Sequence, residues 1–156
     1  MNLGEVTQLV TIIGVLITAL ALLFTIHSFK KQLQLNFFGE YTRRYQEIIL
    51  NLPETINQPD FNFDALDSSS RDKALRYMRA YFDLCSEEYF LRRSGHIGSK
   101  TWKEWKAGME FAFSKTAFQD AWDILRKDTI YYGEFSEFVE KNMAFQCIKP
   151  KQEWAP

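Results

Sequence analysis

No charged residue lies between Glu5 and Lys30, and that gap constrains the chain more than any other feature. Residues 6–29 read VTQLVTIIGVLITALALLFTIHSF. As a helix rising about 1.5 Å per residue, the stretch reaches roughly 36 Å, enough to cross a hydrocarbon core of about 30 Å with some tilt. Buried helices of small soluble domains are rarely uncharged for so long. A cleaved signal peptide wants a basic start and a shorter apolar core that ends at small residues. Glu5 is the only charge before the stretch, and apolar sequence continues past Ala19-Leu20-Ala21. The expectation is an uncleaved transmembrane helix.

The flanks set an expected orientation. Lys30, Lys31, Arg43 and Arg44 follow the span and nothing basic precedes it. The positive-inside rule then places the C-terminal side in the cytoplasm and the N-terminus outside, in a single pass through the cell inner membrane. Thr7, Gln8, Thr11, Thr18 and Thr25 could hydrogen-bond between helices. Gly14 with Thr18 is a small-xxx-small pair, a pattern common by chance that is compatible with a homo-oligomer. His27 is read as interfacial.

The remainder fits one small domain. It carries all 19 Lys and Arg residues and 19 of the 20 Asp and Glu, so its formal charge is zero. A neutral domain held at a membrane is a poor partner for long nucleic acid, which is bound mainly through phosphate neutralisation. Aromatic residues make up 16% of the chain, supplying the bulky side chains that a small core needs. Cys85 and Cys147 form no framework and would stay reduced in the cytosol. No Cys, His or carboxylate spacing suits a metal, and no cofactor is expected.

The apolar periodicity is helical throughout. Leu35, Phe38, Tyr41, Tyr45, Ile48 and Leu52 trace an amphipathic stripe, with Glu40–Arg44 and Arg43–Glu47 as i,i+4 pairs. The membrane helix is expected to run on into this segment, with a bend near Asn36 to Gly39, and to stop at Pro53. A loop follows in which Phe61, Phe63 and Leu66 fold back onto the core. The longest soluble helix is expected over residues 71–93, with N-caps among Asp67 to Ser70 and a Ser69/Asp72 capping box. Its apolar stripe contains Cys85, and Arg93-Ser94-Gly95 ends it. Ser99 or Thr101 is expected to cap the next helix, Thr101 with Glu104 as a capping box. Trp102, Trp105, Met109 and Phe113 form that helix's apolar face. Two more helices are expected near residues 116–126 and 132–143. The fold class is therefore all-α: one N-terminal transmembrane helix (6–29), a juxtamembrane helix (30–52), a compact cytosolic bundle of four to five helices in all (53–148) and a mobile tail (149–156).

Catalytic signatures are missing. Residues 95–101 read GHIGSKT, but Ser99 separates Gly98 from Lys100 and no strand precedes the turn, so this is not a phosphate loop. Cys85 and His96 lack an orienting third group. The chain is expected not to be an enzyme. Charge is more informative. The segment from Arg71 to Lys106 holds nine bases against five acids, and the preceding loop is acidic. An ordinary solvated face, with pairs at Asp72–Arg76, Arg79–Asp83 and Glu88–Arg92, explains part of this. Arg93, His96, Lys100 and Lys103 gather at one helix–turn–helix corner beside Trp102, where a helix start offers free N–H groups. Such a corner suits phosphates, with Trp102 or His96 stacking on a base. With the neighbouring arginines, the candidate ligand-binding set is Arg76, Arg79, Arg92, Arg93, His96, Lys100, Trp102 and Lys103.

The runs FFGEYTRRYQEIILNLP, YMRAYFDLCSEEYFLRR and WKEWKAGMEFAF sit in a chain of matching size and layout. Together these features resemble the small membrane-anchored ancillary effectors of type III CRISPR antiviral systems. They also look like a wider group of bacterial anchored helical proteins. The first resemblance implies a sensor that binds cyclic oligoadenylate, with cyclic tetra-adenylate as the expected ring, as an oligomer and then acts on the bilayer. The competing expectation is a non-catalytic anchored scaffold whose helical domain docks a protein. A nucleotide-degrading enzyme is third.

Overall fold

A computed structural model describes residues 2–128 and 133–148, so the expected tail at 149–156 lies outside the described residues. The described chain is all-α, without strands. Its five α-helices are α1 (Leu3–Asn51), α2 (Ser68–Arg93), α3 (Ser99–Phe113), α4 (Thr116–Asp128) and α5 (Gly133–Ile148). Two compact units divide it, Met1–Gly39 and Glu40–Pro156.

The first unit is helix. One helix of the described chain, α1, is long and apolar enough to cross a membrane, and its apolar window buries nothing against the protein. The hydroxyls of Thr7, Thr11, Thr18 and Thr25 each donate to the carbonyl four residues back, at 2.8–2.9 Å. Each of these four hydroxyl donors is thus satisfied inside its own helix, which lowers the cost of placing it in hydrocarbon. The hydroxyl oxygens keep acceptor capacity for a neighbouring helix. Helical structure continues without interruption through Asn36 to Gly39. The lone Gly39 weakens a helix by only about 1 kcal/mol.

The second unit is a bundle around an aromatic core. α3 packs on α4 and α5, and α2 on α4. Phe82 and Phe113 stack with ring centroids 5.9 Å apart, and Trp122 lies 4.9 Å from Phe82. Tyr81, Phe118 and Phe135 close around them, all buried. The end of α1 contributes Tyr41 and Ile48, followed by Leu52, to this core. Leu35, Phe38 and Tyr45, expected on the same stripe, are exposed instead. Between α1 and α2 two short 3-10 turns, Glu54–Asn57 and Phe63–Ala65, seat Phe61 and Phe63 in the core as the sequence predicts, and Ile56 with them. Leu66 is half-buried.

Local capping falls within the expected Asp67 to Ser70 set at α2, without the expected box, and differs from expectation at α3. The N-cap of α2 is Asp67, whose carboxylate accepts the Ser70 N–H at 3.0 Å, so the Ser69/Asp72 box is not used. The N-cap of α3 is Gly98 and no side chain caps that helix, so neither Ser99 nor Thr101 does so. Helix α5 starts at Gly133 and runs to Ile148, five residues past the expected end.

Candidate functional site

The corner between α2 and α3 is built by backbone geometry. Ser94 is the C-cap of α2 and Gly95 turns left-handed at φ +76°. The Gly95 N–H donates to the Arg92 carbonyl at 3.1 Å, and the His96 N–H to the Leu91 carbonyl at 2.9 Å. This pair of bonds is the Schellman arrangement, and it needs the positive φ that glycine tolerates best. Ile97 then plugs into the core. The guanidinium of Arg92 donates to the Ile97 carbonyl at 3.1 Å, tying the turn to the helix it leaves. The expected Glu88–Arg92 pair is not formed, because Glu88 faces inward and is buried.

Arg93 points elsewhere. It forms an ion pair with Glu134 in the first turn of α5, and its guanidinium lies 6.0 Å from the centre of the Tyr89 ring. Trp102 is half-buried in an aromatic cluster, 6.3 Å from Tyr89 and 5.9 Å from Phe138, so it packs the bundle and is not displayed as a stacking platform. His96, Lys100 and Lys103 are exposed along the corner. The uncapped first turn of α3 leaves N–H groups open beside Lys100 and Lys103. Arg76 and Arg79 are not part of this corner. A rise of about 1.5 Å per residue puts them roughly 20–25 Å from Arg93 along α2. Six of the eight candidates therefore share one end of the bundle and two do not. Of those six, Arg92 and Trp102 hold the fold.

Next to this corner lies an open depression of about 440 Å³. Arg93, Ser86 and Ser94 supply polar groups, Tyr89 and Phe90 an aromatic wall, and the first turn of α5 the opposite side. Phe90 is 67% exposed, unusual for a phenylalanine. Apolar periodicity does not single it out. The available signal was its place one residue past Tyr89, off the apolar stripe of α2.

A second polar cluster joins α1 to α2. Arg44 donates two bonds to Glu87, at 2.6 and 3.2 Å, and the Tyr41 hydroxyl donates a third at 3.0 Å. The guanidinium, followed by the phenol, holds Glu87 below the usual carboxylate range. Burial first, then the bond to Glu87, pushes Tyr41 up to about 12. The expected Glu40–Arg44 pair gives way to this tertiary one, and Glu40 pairs with Arg43 at 2.8 Å. Cys85 is fully enclosed, and burial pushes its thiol far above its ordinary value. A thiol held neutral in this way is a packing group and not a nucleophile. Among the described residues no three His, Cys, Asp or Glu side chains converge as metal ligands. Comparison with known proteins gives no match: no family model, no curated protein and no solved structure aligns with this chain.

Proposed function

We propose that this chain is a non-catalytic, single-pass sensor of the cell inner membrane. In this reading its cytoplasmic bundle binds a cyclic oligoadenylate and its membrane helix carries the output in antiphage defence. The observation that carries it is the depression walled by Arg93, which is ion-paired with Glu134 on the opposite side, two serines and the exposed Phe90 ring. A phosphate that takes the place of Glu134 on Arg93 would meet a cation, hydroxyl donors and an open aromatic face, which are what a phosphorylated base requires. The volume, about 440 Å³, lies at the lower end of small-molecule sites, so one subunit would hold part of a cyclic oligonucleotide and several would share the ring. A homo-oligomer, to which the Gly14/Thr18 pair is suited, supplies the repeated site. Binding must favour one arrangement of the oligomer over another for any signal to pass.

The test is calorimetric titration of the full chain in lipid nanodiscs with cyclic tetra-adenylate and cyclic hexa-adenylate. Saturable binding that weakens at least tenfold in Arg93→Ala and in Phe90→Ala is expected. No heat and no thermal shift with either ring would overturn the reading.

A second reading, an anchored scaffold docking a protein, is favoured by Phe111. That ring is 61% exposed on α3, with the Lys115 ammonium 4.2 Å from its centre. It predicts no small-ligand affinity. It also predicts a cross-linked protein partner in intact membranes that is lost in Phe111→Ser.

A further inference from the structure

The place where the last turns of α1 lie on α2 carries a buried acid that ligand binding does not use. Glu88 exposes only 7% of its surface and is the one buried charged residue among those described. The titratable and charged groups around it are Tyr41, Arg44 and Tyr45 from α1, with Tyr81, Cys85 and Glu87 from α2. Arg44 is the one cation in this set, and Glu87 already holds it through two N–H bonds. One guanidinium thus stands beside two carboxylates at adjacent positions of α2.

A carboxylate this buried is strongly disfavoured unless a cation is drawn to it, so Glu88 has two options. It can stay neutral, or it can draw Arg44 away from Glu87. We propose that this seam is a proton-set clasp. With Glu88 neutral, Arg44 stays on Glu87 and residues 40–51 are seated on α2. With Glu88 ionised, two carboxylates divide one guanidinium and residues 40–51 loosen from α2.

The seam's other groups do not titrate in the same range. Burial raises Tyr45, and raises Tyr81 and Cys85 far above their ordinary values, while Tyr41 sits near 12. Glu87 is held ionised by Arg44. Burial, opposed in part by Arg44, pushes Glu88 up to about 8, close to physiological pH. The helix that the clasp holds is α1, which also carries the apolar span. The clasp is independent of the nucleotide reading, and either can fail without the other.

The experiment is hydrogen–deuterium exchange of the full chain in nanodiscs from pH 6.5 to 9, with rates corrected for intrinsic base catalysis. Peptides covering residues 40–51 are expected to gain several-fold in corrected exchange across pH 8, while α4 stays protected. Glu88→Gln is expected to hold the low-pH rate throughout. In Glu87→Gln, which frees Arg44 for Glu88, the midpoint is expected to fall by at least one pH unit. The clasp is refuted if wild type shows no rise, if α4 opens with residues 40–51, if Glu88→Gln shows the same rise, or if Glu87→Gln leaves the midpoint in place.

Discussion

Phe82 is the residue on which the bundle core depends most. Its ring is fully buried and meets Tyr81, Phe113 and Trp122. Phe82→Ala removes those contacts and leaves a cavity that rigid neighbours cannot fill. The expected cost is about 3–5 kcal/mol, read as a lower urea midpoint. Glu88 makes a pH-dependent contribution of definite sign. Its pKa is 4.5 as an ordinary carboxyl and about 8 in the fold, so the folded chain binds more protons between those values. The Glu88 contribution to stability must then fall as pH rises from about 4.5 to about 8, and be constant on either side. Denaturant unfolding from pH 4.5 to 8.5 checks this, and Glu88→Gln is expected to remove most of the slope. The sequence hid both the partner of Arg44 and the burial of Glu88. Glu40 and Arg92 stand at helix spacing from Arg44 and Glu88 respectively, and local spacing says nothing about a carboxylate forty-three residues away. Trp102 was ambiguous for a similar reason, since a tryptophan at the start of an apolar face suits either core or display.

At the scale of elements, periodicity was a sound guide wherever burial repeated along one face. The buried positions Phe113, Phe118, Trp122 and Leu125 follow from it, and so do the breaks between α2, α3 and α4. Caps were less readable, because Asp67, Ser68, Ser69 and Ser70 are all competent and only the position of the first turn chooses among them. The α2–α3 turn is an exception, since a glycine after two arginines marks a left-handed helix end. No heavy atom lies within 4 Å of where a Cβ on Gly95 would be, so crowding is not what selects glycine there. The positive φ is. Gly95→Ala is expected to cost about 1–2 kcal/mol by calorimetry through backbone strain alone. Gly108→Ala, in open space inside α3, is expected to stabilise the helix by up to about 1 kcal/mol.

For the whole molecule, the apolar part of α1 has one feature that its length and flanks do not explain. Gly4, Thr7, Thr11, Gly14, Thr18, Ala21, Thr25 and Ser28 follow one another at alternating steps of three and four. They include every Gly, Ala, Ser and Thr from Gly4 to Phe29 except Ala19. A repeat of three and four is the heptad of a left-handed helix pair, and small residues on that seam let two backbones approach closely in lipid. The Thr hydroxyls donate within their own helix, so the seam would close by packing more than by polar bonding. The Gly14/Thr18 pair gave only a fragment of the pattern. If the chain works as an oligomer, large side chains on the seam must weaken it and equal changes off the seam must not. Gly14→Leu and Thr18→Leu are expected to lower self-association in bilayers at least several-fold by fluorescence energy transfer. Leu16→Phe and Leu23→Phe, off that seam, are expected to leave it unchanged. All four substitutions keep the span uncharged, so insertion into the membrane stays constant across the set. Equal association in all four variants would show that the stripe has no part in assembly. The shared ligand site would then need its symmetry from the bundle alone.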